Sequence, residues 1–323
     1  MDSEQKVILV TGVTGFVGQQ MVQHLTQFSY EVVGVARAAA ARLPAALKRN
    51  LTEYISCDFT NQAAVDALIR EIRPTYVLHL AGQANAAKAW QAPLVTCESN
   101  AAGTLNLLEA IRKYSSATKR IVSVGSSHEY TLVSSPPALV ETMPTVPASP
   151  YGWSKLLQTT ICQMYAKSFA LPVIVARTFN LIGPGARQGV FGQLINDVVK
   201  LEKNHALKNE IQIGNTQIER DFLDVRDAVR AFLLLAISEQ PASGQVYNVC
   251  SGQSQSIQTL LDCLQQASKR SFHTAVNEVF IRPNEPQTIV GDPGQLQQAT
   301  GWQRQINLTS SVLDALQFAR CLK

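Results

Sequence analysis

The chain has 323 residues, 46% of them hydrophobic and 16% charged, with a formal net charge of +4. That composition excludes a disordered chain, and a small charge without a basic block excludes a nucleic-acid binder. No apolar run reaches the roughly 20 residues of a membrane span, so no membrane partner is expected.

The opening Met1-Asp2-Ser3-Glu4-Gln5-Lys6 lacks a signal peptide's apolar stretch. Cysteines 57, 97, 162, 250, 263 and 321 lack metal-ligand spacing. The expectation is a cytoplasmic protein with reduced core cysteines and no metal.

The first strand is expected at 7–11, and an amphipathic helix at about 16–28 with Phe16, Val17, Met21, Val22 and Leu25 on one side. Between them Gly12, Gly15 and Gly18 are spaced G-x-x-G-x-x-G. After a strand, such a turn aims backbone N–H groups and a helix dipole at a diphosphate. The first glycine permits the turn, the second lets backbone approach phosphate, and the third lets helix lie close on strand.

The second strand, 31–36, ends at Arg37 without the acid that would hold a ribose 2′-hydroxyl. Arg37 is either a fork for a 2′-phosphate or a solvated arginine. Ala38–Ala41 reads as a loop beside the cofactor. A strand at 53–56 leads to Asp58 and Phe59, and a helix is expected at 61–72. A strand at 75–80 follows, then one long helix over 93–114 and a strand at 119–125.

That strand ends in Gly125-Ser126-Ser127-His128-Glu129-Tyr130. Ligands of open α/β sheets bind at the carboxyl ends of strands, where a serine can hydrogen-bond a reacting oxygen; we assign that role to Ser127. His128 reads as a surface or packing residue. Glu129 stays open between a general base and a solvated loop acid.

The next helix, 150–169, carries Tyr151 and Lys155 four residues apart, hence on one face, with Pro150 in the first turn and Ser149 as cap. A nearby ammonium favours the phenolate, so the pair can move a proton on or off a substrate oxygen. A strand at 172–177 completes the alternation, which predicts a doubly wound parallel sheet. After Asn180 the rhythm changes to short mixed elements, expected to form a smaller C-terminal α/β substrate lobe. The expected domains are 1–179, with 224–250 returning to it, and a discontinuous 180–323.

Together the glycine motif, the serine turn and the Tyr-x-x-x-Lys pair resemble the extended short-chain dehydrogenase/reductase family, which acts on nucleotide-activated sugars. Leu78-His79-Leu80-Ala81-Gly82-Gln83, the run Asn100–Ala110, Ala176–Gly185, Arg220–Asp227 and Val246–Gly252 carry the likeness nearly end to end. Thr131 stands where the family usually has glycine.

The resemblance implies a cofactor cradle of Gly12, Thr14, Gly15, Phe16, Val17 and Gly18, with Arg37, Asp58 and Phe59 on the adenosine side. Leu80, Ala81, Gly82, Tyr151 and Lys155 would serve the nicotinamide ribose, and Asn100 would support the strand-end backbone. NADP(H) is the preferred cofactor, with NAD(H) possible. Asn180, Arg220 and Arg282 would meet a substrate diphosphate, Glu285 ribose hydroxyls, and Gln83 and Ser127 the sugar.

The implied reaction is reduction of the C4 ketone of GDP-bound 4-keto-6-deoxymannose to GDP-D-rhamnose. Dehydratases and epimerases of the same family are the alternative. Such dehydratases commonly carry a threonine at the serine position and a glutamate two residues on, which Glu129 half matches. A non-catalytic redox sensor would lack the Tyr-Lys pair. A homodimer is expected, helices 93–114 and 150–169 pairing with their copies in a four-helix bundle. Its apolar surface would be Leu105, Leu107, Leu108, Ile111, Leu156, Leu157, Ile161, Met164 and Tyr165.

Overall fold

The computed structural model describes residues 6–131, 137–281 and 285–322. Its first half alternates β1 (Val7–Thr11), α1 (Phe16–Leu25), β2 (Glu31–Ala36), α2 (Ala45–Arg49), β3 (Glu53–Ser56), α3 (Gln62–Ile72) and β4 (Tyr76–His79). Then come α4 (Ala86–Gln91), α5 (Pro93–Cys97), α6 (Gly103–Tyr114), β5 (Arg120–Ser126), α7 (Pro150–Phe169) and β6 (Val173–Thr178). The second half runs β7 (Asn180–Ile182), α8 (Gly189–Lys203), β8 (Glu210–Ile213), β9 (Glu219–Asp224), α9 (Val225–Ile237) and β10 (Val246–Val249). It closes with β11 (Ser254–Ser256), α10 (Ile257–Ala267), β12 (His273–Val276), β13 (Thr288–Ile289), α11 (Gly294–Thr300) and α12 (Leu308–Cys321).

Seven strands form one parallel sheet in the order β10-β6-β5-β4-β1-β2-β3. Val- and Ile-rich runs buried on both faces suit such a sheet. One face packs on α1 and α9 through Met21, Val22, Leu25, Val229 and Phe232. The other packs on α3, α6 and α7 through Val65, Ile69, Leu107, Ile111 and Tyr165. The strand order reverses between β1 and β4, and a crevice opens outside their carboxyl ends, where such sheets bind ligands. A second core, with Phe191, Leu194, Phe222, Leu261 and Leu316, joins α8, α10, α12 and β9.

Two expectations about elements change. The helix over 93–114 is α5 and α6 joined by a π-helical turn, Glu98–Ala102, which carries Asn100. The first helix stops at Leu25, capped by Thr26, not near residue 28. Of the cysteines, Cys57, Cys162 and Cys250 are buried as expected, whereas Cys97 and Cys263 are half-buried and Cys321 is exposed.

Candidate active site

The glycine turn is built by close approach. Gly12 takes a φ of 71°, and a Cβ there would lie 2.9 Å from Ala81. A Cβ on Gly18 would lie 2.2 Å from the Gly12 carbonyl, so α1 starts hard against β1 only because no side chain intervenes. Phe16 and Val17 pack on the sheet's core from the first turn of α1.

The crevice beside this turn is lined by Gly12, Thr14 and Gly15, by Arg37, Asp58 and Phe59, and by Leu80, Ala81 and Gly82. Nine residues expected at a dinucleotide thus share one cleft. Its remaining lining includes Cys57, Thr60 and Ser99, which the sequence reading passed over. Ser99 had one signal, its place beside Asn100. Asp58 accepts from Thr60 N–H at 3.0 Å and Thr60 Oγ1 at 2.9 Å. The backbone bond foremost, aided by the hydroxyl and the Arg37 charge against a burial penalty, holds its carboxyl below the usual range.

Ser149 caps α7 through Gly152 N–H at 3.1 Å, setting Tyr151 and Lys155 one turn apart on the buried face, with Lys155 Nζ 3.9 Å from where a Cβ on Gly82, at the edge of the cleft, would lie. Lys155 Nζ donates to the Val124 carbonyl at 2.7 Å and to Gln158 Oε1 at 2.8 Å. Burial brings Lys155 down to about 8, against the charges of Glu129 and Cys162. Burial also pushes the Tyr151 phenol up to about 12, opposed by a hydrogen bond with Ser126. Burial, and not the Lys155 ammonium, is the largest influence on the Tyr151 phenol.

The serine assignment changes too. Ser126, not Ser127, has its hydroxyl on Tyr151; it also accepts from His128 N–H at 3.3 Å. Ser127 is buried beside it. His128 lies edge-on against Tyr151, ring centroids 5.4 Å apart.

Glu129 is not a solvated loop acid: it is fully buried. Its Oε1 accepts from Ser126 N–H at 2.7 Å, and its Oε2 from Thr159 Oγ1 at 2.9 Å and from Arg177 at 2.8 and 3.1 Å. Both oxygens are engaged away from the cleft, so as a catalytic base it is also corrected. It fixes the turn that presents Ser126.

Asn100 does support the strand-end backbone. Its Oδ1 accepts from Gln83 N–H at 2.7 Å, and its Nδ2 donates to the Gln83 carbonyl at 3.0 Å. The Gln83 side chain turns to Asn85 and to Thr96 Oγ1 at 3.1 Å. In the second half, Asn180 Nδ2 donates to the Asp221 carbonyl at 3.1 Å. Arg220 and Glu285, expected to contact different parts of a substrate, pair with each other at 2.8 Å. Arg282 lies outside the described residues.

A Ser-Tyr-Lys cluster beside a glycine-lined crevice, at the switch point of a parallel sheet, defines an NAD(P)-dependent oxidoreductase of the extended short-chain dehydrogenase/reductase type. The family described as GDP-mannose 4,6 dehydratase matches residues 9–314. The chain is 31% identical to the GDP-6-deoxy-D-mannose reductase of Pseudomonas aeruginosa over 94% of both chains. The structure of RMD from Pseudomonas aeruginosa complexed with NADPH superposes with a TM-score of 0.82 at 27% identity, covering 98% of each chain. The Thermus thermophilus UDP-glucose 4-epimerase complex with NAD gives 0.80 at 25% identity, over 98% of this chain and 99% of that one. The chain belongs to the GDP-mannose 4,6-dehydratase family of extended short-chain dehydrogenases/reductases.

Proposed function

We propose that the protein reduces the C4 ketone of GDP-4-keto-6-deoxy-D-mannose to GDP-D-rhamnose, with NADPH preferred. Residues 1–179 with 224–250 form the cofactor-binding part, and the rest of 180–323 the nucleotide-sugar lobe. Bound in the cleft, NADPH supplies the hydride. The residues' share is orientation and electrostatics. Tyr151 gives its phenolic proton to the oxygen at C4, and Ser126 hydrogen-bonds Tyr151 and that oxygen. Lys155 sets positive charge under the nicotinamide ribose. Arg37 holds a 2′-phosphate, and Arg220 and Asn180 hold the substrate diphosphate, Arg220 moving off Glu285 to do so.

The observation that carries reduction over dehydration is the burial of Glu129 against Arg177. Eliminating water beside a ketone needs a base for a carbon-bound proton; this glutamate does not face the cleft, and two residues past Ser126, where such dehydratases carry a glutamate, stands His128.

In the test, protein given GDP-mannose and NADP⁺ alone should form no keto sugar. Given GDP-4-keto-6-deoxymannose and NADPH, it should form GDP-rhamnose. Keto sugar from GDP-mannose would replace the reductase with the dehydratase.

A further inference from the structure

His79 ends β4 directly before the Leu80–Gly82 wall of the cleft, and only 1% of it is exposed. Its Nδ1 lies 3.0 Å from Thr11 Oγ1, at the end of β1. Its Nε2 lies 3.0 Å from Thr104 Oγ1, in the first turn of α6. Phe59, from the adenosine side of the cleft, meets its ring edge-on at 5.6 Å.

The neighbours decide where the proton sits. Thr104 Oγ1 donates to the Asn100 carbonyl at 2.7 Å, so toward His79 it must accept. Nε2 therefore carries the hydrogen. Nδ1 is left to accept from Thr11, whose oxygen accepts from Leu80 N–H at 3.0 Å and Ala81 N–H at 2.9 Å. One neutral tautomer satisfies every group. Burial, with the Lys155 charge, brings the imidazole down to about 3, in keeping with that state.

The chain of bonds continues through Asn100, whose Nδ2 also donates to Ser154 Oγ at 2.9 Å, and Ser154 Oγ donates to the Tyr151 carbonyl at 2.7 Å. A single ring thus ties the end of β1, the Leu80–Gly82 wall and the Asn100 turn, and Asn100 carries the tie to the helix of Tyr151 and Lys155.

We propose that His79 is the positioning residue for the nicotinamide half of the cleft: its two-sided hydrogen bonding keeps the Leu80–Gly82 backbone and the Asn100 turn in register with Tyr151. It touches neither cofactor nor substrate and acts through Thr11 and Thr104. The proposal rests on the dinucleotide site and not on which sugar is reduced.

The test compares binding of NADPH with binding of 2′,5′-ADP, which fills only the adenosine half. His79→Asn keeps an acceptor near Nδ1 and loses the Thr104 link; Thr104→Val loses the same link while leaving the histidine in place. Each variant should bind NADPH about tenfold more weakly, the order of one buried hydrogen bond, and bind 2′,5′-ADP unchanged. Thr104→Ser, which keeps the hydroxyl, should restore NADPH binding. Equal weakening of both ligands, unchanged NADPH binding, or no rescue by serine would overturn the proposal. A wild-type protein that binds 2′,5′-ADP and not NADPH would overturn it together with the cofactor reading.

Discussion

Tyr151 and Lys155 share a helix face, yet their environments move them in ways their spacing alone does not disclose. The phenol is held protonated by burial and the ammonium is brought close to physiological pH. Tyr151→Phe should lower turnover by about 10²–10⁴-fold, the usual contribution of a general acid, with NADPH binding and melting temperature unchanged; near-normal turnover would contradict the assignment. The pH dependence has a definite sign. Lys155 keeps its charge below about pH 8 and loses it above, so kcat/KM should fall on the alkaline side from about pH 8; a profile flat to pH 10 would show that the charge is not needed. Ser126→Ala should cost more activity than Ser127→Ala, and the reverse order would reinstate Ser127.

The two serines were indistinguishable in the sequence because they are adjacent and both follow the strand expected at 119–125. Which one meets Tyr151 depends on the turn, and the turn depends on Glu129. The spacing of Ser126 and Glu129 is the local signature of a capping box, in which the glutamate reaches back to Ser126 N–H; its pairing with Arg177, 48 residues later, has no local signal.

Among the elements, the Ser127–Glu129 turn is open to damage from a single change. The Glu129–Arg177 pair is buried on both sides, and Gly152 brings α7 so near that a Cβ would lie 2.4 Å from the His128 carbonyl. Glu129→Gln leaves the Arg177 charge buried without its counter-ion, and breaking such a pair costs about 3–5 kcal/mol. Denaturant unfolding should register that loss, and a loss well under about 1 kcal/mol would mean the turn is held by other contacts. Strands and long helices were legible, since β-branched runs and 3.6-residue periodicity are local signals. The π-helical turn at Glu98–Ala102 was not, because its one extra residue only shifts the register of the flanking helical pattern and the segment holds no proline or glycine to mark it. That shift matters to Asn100, which sits inside it. Arg37 belongs to the same scale, at the end of β2: Arg37→Ala should lower the ratio of catalytic efficiency with NADPH to that with NADH, and an unchanged ratio would make Arg37 a surface charge.

For the whole molecule, the face formed by helices 93–114 and 150–169, here α5 to α7, is the expected subunit contact, and the structure redraws it. Leu107, Leu108, Ile111 and Tyr165 are buried in the chain's own core. The exposed apolar residues are instead Leu105, Leu157 and Met164, joined by Trp90, Leu94, Val95, Trp153 and Phe169. Sequence periodicity marked both helices as apolar on more than one side but did not say which side the sheet takes. We retain the homodimer as a proposal on this revised stripe, since an isologous contact buries the same patch twice. Light scattering at micromolar concentration should give twice the 35.2 kDa chain mass, and Leu157→Glu should shift it toward the monomer. A fully active monomer of the wild-type protein would exclude the bundle.

Net reduction at C4 leaves a mark on the product that hydride tracing reads. The protein is incubated with GDP-4-keto-6-deoxymannose and NADPH carrying deuterium on the transferable position, and the product is examined by mass spectrometry and NMR. One deuterium bound to C4 of the sugar and one NADP⁺ formed per product are expected. A sugar converted without consumption of NADPH would contradict net reduction, because dehydratases and epimerases return the hydride they take.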